Sequence, residues 1–543
     1  MSDLAHLSTP HATTPGETRK RAMKRTGFVI AALLLASLAA TAQQTAAPHS
    51  PHPAPQDQKN GSGVVPPGVK LLPTMPGAGA PKAFHFPQAA TKTLPNGLRV
   101  FVVTDHEQPS IAARMVILTA GSIKDPASMP GVTQMTASML TQGTEKRSAR
   151  EIADIIDFVG GTLEAAAGKD SSTIKLNVVK KDLDAGLDLM SDVILHPAFR
   201  GDELDRQRQQ LLSNLTVQYS DPEFLASAVF GRVVFGSSPY GWPQEGTPSS
   251  IQKLTRDDLV KFHDGNYAPN QALLALAGDM TPEEAFAAAE KYFGSWAALP
   301  SQDMAAAAPA QPAAPSGQHI WLIDKPDAVQ TQIRVGTLGI RRNDPDYFPV
   351  RVMNQIFGGG YNSRLNTEVR VKNGLTYGAY SRFSPYKYSG SFGVGTFTRT
   401  AATVQATKMV VDLLTKMSTG EVSPGEMDMS RDYLAGVYPI QAETAEQVAD
   451  HVLSVAEFHL PADYNSTYPD KIRGVTSAQV QQVAERYLET KDLDIVLAGN
   501  IGAFRDALKK EFPHAQFTEI PFDQVDVLAP ELVKPREAAT GGN

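Results

Sequence analysis

The spacing of apolar and polar positions changes period several times between residues 91 and 299, and each change marks an element. Leu98-Arg-Val-Phe-Val-Val103 and Ile111 to Leu118 are rich in β-branched and aromatic residues and predict strands. Val132, Met135 and Met139 then fall at i, i+3 and i+7, with Leu140 beside them. That spacing predicts a helix over 130–142, closed by Gly143. On it Gln134 and Ser138 are four apart and share a face. A second helix is expected over 148–159, after which Gly160-Gly161 turns the chain into strands near 162–168 and 172–179. Helices follow over 182–194 and 202–218, separated by His196-Pro197, and over 222–234 and 255–265. A strand at Ala272 to Ala277 and a helix over 281–292 end this half.

The second half repeats the first. Thr255 to Asp279 aligns without gaps on Thr476 to Asn500, a constant offset of 221, and Leu276-Ala-Gly-Asp279 matches Leu497-Ala-Gly-Asn500. Asp125-Pro126 and Asp344-Pro345 sit 219 apart near the start of each half. A repeat of this length is a duplicated domain. Strands grouped with helices, and few strand–helix alternations, predict an α+β fold: two homologous domains over 91–299 and 318–526, each an antiparallel sheet with helices packed on it. The Ala/Pro/Gln/Ser-rich run 300–317 is expected to be a linker that joins the halves loosely, so that they must meet through their surfaces. Residues 43–90 lack a periodic apolar pattern and predict a tether, with His49 and His52 as plain linker residues; 527–543 predict a disordered tail.

The N-terminus changes the picture of location. Met23-Lys24-Arg25, the apolar run Phe28 to Leu38 and the small-residue site Ala40-Thr41-Ala42 have the order of a signal peptide over 1–42, with Met23 a candidate start. The expectation is a chain exported to the periplasm, cleaved near Ala42, with no membrane span thereafter. With 20% charged residues and a net charge of -7, the composition is that of a globular protein and gives no argument for nucleic acid or an anionic membrane as partner. There are no cysteines, which excludes thiol catalysis and thiolate metal sites.

The stretch Gly131–Thr144 reads GVTQMTASMLTQGT, and its frame GVxxxxxxMLxxGT, set in a duplicated chain of this size, resembles the M16 family of zinc peptidases. That family includes pitrilysin, insulin-degrading enzyme and the mitochondrial processing peptidase. The resemblance covers nearly all of residues 90–525 and implies that the two halves form a clamshell. Active members carry two histidine ligands and a glutamate base in this frame. The ligands fall here on Gln134 and Ser138, the base on Ala137, and the third ligand, a more distant glutamate, on Asn214. Amides and a hydroxyl are poor neutral ligands for zinc, and nothing at Ala137 could take a proton from an attacking water. The resemblance therefore implies that this chain binds no cofactor and is no self-contained peptidase.

The second half carries its own signature. Phe357-Gly-Gly-Gly360-Tyr-Asn-Ser-Arg364-Leu365 precedes Glu368-Val-Arg370, and then Asn373-Gly-Leu-Thr-Tyr377. These segments resemble the family's C-terminal elements. They imply that Arg370 and Tyr377 hold substrate and help to stabilise an oxyanion, with Gly358, Gly359 and Gly360 letting a peptide approach the backbone. The expected function is a non-catalytic subunit of a periplasmic, heterodimeric M16B metallopeptidase, with zinc on a homologous partner, peptides as substrates, and Arg370 and Tyr377 acting in trans. The alternative is a peptide-binding or scaffold pseudopeptidase of the cell envelope. His451 and His459 are expected to be helix-face or core residues, and His106 and His263 ordinary surface residues whose neighbouring acids point away.

Overall fold

The computed structural model describes residues 84–300, 312 and 316–535. The expected signal segment, most of the tether, nearly all of the linker and the last eight residues lie outside the described residues.

Two six-stranded sheets organise the chain. The first contains β1 (Ala90–Thr93), β2 (Arg99–Thr104), β3 (Ser110–Ile117), β4 (Thr162–Ala167), β5 (Ser172–Val179) and β6 (Ala272–Gly278), in the order β1-β2-β6-β3-β5-β4. The second contains β7 (His319–Asp324), β8 (Gln330–Leu338), β9 (Ala379–Pro385), β10 (Gly390–Arg399), β11 (Asp494–Gly499) and β12 (Gln516–Pro521), in the order β12-β7-β11-β8-β10-β9. The α+β, two-domain expectation holds. The sheets are not purely antiparallel, however: β2 pairs parallel to β6, and β7 parallel to both β11 and β12. The physical reason is the long helical excursion before β6 and before β11. A strand that returns after several helices inserts beside the opening strand in its own direction, which no local hairpin signal can announce.

The central strands are apolar on both faces, and both faces are covered. In the first sheet Val100, Val102, Met115, Leu274 and Leu276 face the half's own helices. Val103, Val116, Leu273, Ala275 and Ala277 face the other way, onto Val448, Ala449, Val452 and Leu453 of the helix Ala445–Glu457, which belongs to the second half. The second sheet is served in the same manner. Ile323, Val496, Ala498 and Ile520 pack on Leu225, Ala226 and Val229 of the helix Pro222–Phe235 from the first half. Each half thus lends one helix to the other's sheet. The halves meet through their surfaces, as the sequence leads one to expect, and separating them would bare an apolar sheet face in each.

The packed chain also runs beyond its expected ends. Phe84 stacks edge-on against Tyr438 at 5.9 Å and Phe86 against His451 at 5.9 Å, inside the expected tether. Val527 and Leu532 are buried and Val525 bridges to Val533, inside the expected tail.

Candidate functional site

The helix of the first half spans Val132–Met139, shorter than expected. Leu140 ends it with a bond to the Ala137 carbonyl, and Gly143 (φ +122°) bridges onward to Ser148. Its N-terminus has no local side-chain cap. Asp125 fills that role from six residues upstream: one carboxylate oxygen accepts from Gly131 N (2.6 Å), the other from Thr133 N (3.1 Å) and from the Thr133 hydroxyl. Burial pushes the Asp125 carboxyl up to about 6, against the pull of those hydrogen bonds and of the Lys169 charge.

Val132, Met135, Ala137 and Met139 are buried, and Gln134 and Ser138 share the half-exposed face, as the spacing predicts. Gln134 Nε2 donates to Ser138 Oγ at 3.2 Å, so the two groups satisfy each other. Asn214 is exposed on the helix Gly201–Ser220, where its carbonyl accepts from Gln210 Nε2 at 3.2 Å. No hydrogen bond among the described residues brings Asn214 to Gln134 or Ser138. This donor set does not fit zinc: all three groups are neutral, and each already has a partner. Among the described residues, no group of three or more His, Asp or Glu stands where it could hold a metal ion.

Beside this helix runs β4, an edge strand that pairs only with β5. Its sequence, TLEAAA, offers small side chains and one row of unpaired backbone groups. An extended peptide can add to such an edge. The sequence announces the strand; only the sheet order places it at an edge next to the helix.

In the second half the helix Tyr347–Asn354 widens into a π turn at Gln355–Gly359, and a second π turn, Thr367–Lys372, carries Arg370. Gly358 is buried against β9. A Cβ there would collide with Ser381 Oγ and stand 2.7 Å from Ser381 N. Ser381 is itself pinned, its hydroxyl donating to Asn354 Oδ1 at 2.8 Å. Gly358 therefore serves packing and is not open to a peptide, which corrects the expected role of the first glycine. Gly359 is exposed and Gly360 half-exposed.

The two arginines of this segment differ. Arg364 makes a bidentate pair with Glu426 (2.7 and 2.9 Å) and holds the Glu426 carboxyl down to about 2. Arg370 lies over the Tyr361 ring at 4.8 Å and makes no ion pair among the described residues. Tyr377 is 83% exposed in the loop before β9, with its ring 6.4 Å from Phe397. Tyr361, Val371 and Tyr380 are exposed around them. No hydrogen bond, ion pair or ring contact joins Arg370 to Tyr377, or either residue to the Val132–Met139 helix, among the described residues.

With both segments placed, comparison with known proteins decides the family. The family described as insulinase (peptidase family M16) matches residues 99–234, and the peptidase M16 inactive domain matches 253–434. The chain belongs to the M16 peptidase family. An uncharacterized zinc protease of Mycobacterium leprae is 29% identical over 347 residues, covering 63% of this chain and 77% of that protein. The crystal structure of a peptidase M16 inactive domain from Pseudomonas fluorescens superimposes with a TM-score of 0.71 at 29% identity, over 76% of this chain and 98% of that one. A protease from Helicobacter pylori shares the fold, with a TM-score of 0.70 at 20% identity over 76% and 99% of the two chains.

Among the described residues, no hydrogen bond or ring contact joins His451, His106 or His263 to either segment. His451 Nε2 donates to the Gln441 carbonyl (2.9 Å), and its ring stands edge-on to Tyr438. His106 meets Asp279 at 2.6 Å. His263 is buried, against expectation: its Nε2 reaches the Ile194 carbonyl at 2.9 Å, and its Nδ1 comes within 3.3 Å of its neighbour Asp264. The helix Arg256–Asn266 turns His263 inward onto Phe199 and Tyr267, which the apolar spacing did not reveal.

Proposed function

We propose that this chain is the zinc-free subunit of an exported, two-chain M16 peptidase, and that it supplies peptide-binding surface and the Arg370 and Tyr377 side chains to a zinc-bearing homologue. The observation that carries this reading is an asymmetry between the halves. The first-half positions hold neutral groups that bond to one another or to their own helix. The second half instead presents a guanidinium that has no carboxylate partner among the described residues, and an exposed phenol. A guanidinium and a phenol are the donors a developing oxyanion needs, and an unpaired arginine remains available for one. Substrate would lie extended, with β4 offering an edge to pair with. Export rests on the charged, apolar and small-residue order of residues 23–42. Among the described residues no helix is long and apolar enough to cross a membrane.

The test is reconstitution. The chain alone, and a homologue bearing the His-x-x-Glu-His motif alone, are each to be assayed on a quenched peptide library, then mixed. Activity that appears only in the mixture, and falls about 10²-fold or more with Arg370→Ala at unchanged assembly, supports the reading. A mixture no more active than the zinc-bearing chain alone leaves the scaffold reading in its place.

A further inference from the structure

A cleft of about 810 Å³ lies far along the chain from both segments described above, and none of the residues at 134, 137, 138, 214, 358–360, 370 or 377 lines it. It opens between the segment leading into β1, the faces of β1 and β2, and the corner that joins the helices Ala445–Glu457 and Tyr464–Arg473. Its lining includes the apolar residues Phe86, Phe101, Val452, Val455 and Leu460 and the basic residues Arg99 and His459.

Those two basic groups are not committed elsewhere. The Arg99 guanidinium lies over Phe101 at 5.4 Å and has no carboxylate partner among the described residues. Asp463, the acid on the rim, is faced by Lys471 at 3.8 Å. His459 closes the preceding helix at φ +52°, where Leu460 N bonds back to the Val455 carbonyl at 2.9 Å. That left-handed closing position is one glycine takes without cost and histidine does not. A strained residue held at the mouth of a cleft is a reason to look for a ligand there. The imidazole is kept below its ordinary value by burial and then by the Lys387 and Arg99 charges, and the neutral ring that results still has one N–H to donate.

We infer that this cleft binds an apolar molecule that ends in a carboxylate, with the carboxylate between Arg99 and His459 and the apolar body along Phe86, Phe101, Val452 and Val455. The volume suits a ligand of drug-like size. A free alkyl acid and the C-terminal residues of an apolar peptide share this chemistry. The inference does not depend on a zinc-bearing partner.

Isothermal titration of the full chain tests it with two matched pairs of probes: decanoate against decanamide, and an apolar tetrapeptide with a free against an amidated C-terminus. At least one carboxylate is expected to bind, with its amide weaker by about tenfold or more, and the pair that shows the larger discrimination names the source. Arg99→Gln, at an exposed position, should cost a similar factor without moving the thermal midpoint. Val455→Trp should fill the cleft and abolish binding. The inference fails if neither carboxylate binds at millimolar concentration, if the amides bind as well as the acids, or if Arg99→Gln leaves affinity unchanged.

Discussion

Arg114 and Arg334 stand 220 residues apart at matching positions of β3 and β8, and each reaches out of its sheet toward a carboxylate on the helix lent by the other half. Arg114 Nε lies 3.6 Å from Asp450, and Arg334 Nη2 lies 3.3 Å from Glu223, while Arg334 Nε donates to Ser227 Oγ at 3.1 Å. The remaining donors repeat too. Arg114 Nη1 serves the carbonyls of Ala113 and Leu176, and Arg334 Nη1 those of Ile333 and Thr396, each 220 further on. The duplication has thus preserved a buried charge in each central strand whose ion-pair partner, among the described residues, sits on the helix from the opposite half.

The guanidinium, and not the ion pair, carries most of this stabilisation. Both arginines are nearly fully buried, whereas the side chains of Asp450 and Glu223 are 50% and 57% exposed. Arg334→Met would remove a nearly buried guanidinium together with its bonds to the Ile333 and Thr396 carbonyls and to Ser227, and is expected to cost about 2–3 kcal/mol. Glu223→Gln keeps an acceptor for Arg334 and gives up only a carboxylate that is more than half exposed, and should cost under about 1 kcal/mol. Urea unfolding of the two variants checks the order. Equal losses would mean that the pair, and not the buried donor set, holds the halves.

Asp125 makes a prediction about pH. Its carboxyl is raised from 3.8 to about 6 in the fold, so between those values the native chain keeps a proton that the unfolded chain has released. Stability from this group therefore falls as pH rises through the window, by about 3 kcal/mol in all. Asp494, also raised to about 6 by burial, contributes with the same sign. Wild type is expected to lose that amount relative to Asp125→Asn between pH 4 and pH 7, measured by urea unfolding at each pH. A difference between the two proteins that stays constant across the window refutes the assignment.

Much of this architecture is legible in the sequence, and what is not has a common physical cause. Local periodicity placed most of the strands and helices of the first half, the shared face of Gln134 and Ser138, and the duplication itself. It could not say that Pro222–Phe235 and Ala445–Glu457 cover the opposite sheets, since an apolar stripe does not name its partner. The cap from Asp125 escaped for the same reason, coming from six and eight residues away where capping signals are sought within three. Strand direction beside β2 and β7 depends on a return after long helical excursions. One signal was available: an arginine at position 114 of a strand otherwise apolar, repeated at 334, is a buried charge that demands a partner from elsewhere.

The two arginines of the second-half segment should separate in stability. Arg364→Ala breaks the bidentate pair with Glu426 and leaves the Glu421 carbonyl without its donor, costing about 1–2 kcal/mol for a partly exposed site. That contribution is present above the ordinary glutamate range and is lost as pH falls toward about 2, where Glu426 takes up its proton in the fold. Arg370→Ala removes only a contact with the Tyr361 ring and should leave the thermal midpoint within about 1 °C. Calorimetry at pH 7 distinguishes them, and a large loss from Arg370→Ala would recast that residue as structural.

The first half should not retain zinc. Gln134, Ser138 and Asn214 offer no anionic or imidazole donor, and Gln134 and Ser138 already bond to each other. After incubation with one equivalent of zinc and desalting, elemental analysis of the purified chain is expected to find about a tenth of an equivalent or less. A tightly held equivalent would overturn the reading of these positions.

The glycines of the second half divide by what a side chain would meet. At Gly358 a Cβ would collide with the backbone nitrogen and Cβ of Ser381, at 2.7 and 2.8 Å, on a strand that cannot shift without breaking its pairing with β10. Gly358→Ala is expected to cost about 1–3 kcal/mol. At Gly360 the only close neighbour is the far end of Gln355, at 2.5 Å from its Nε2, which can swing away, so Gly360→Ala should cost well under about 1 kcal/mol. The two variants therefore separate packing from peptide access. If Gly360→Ala keeps its stability yet weakens peptide hydrolysis in the reconstituted pair, the exposed end of the segment serves substrate. If only Gly358→Ala lowers activity, and does so in proportion to its loss of stability, the segment serves the fold alone.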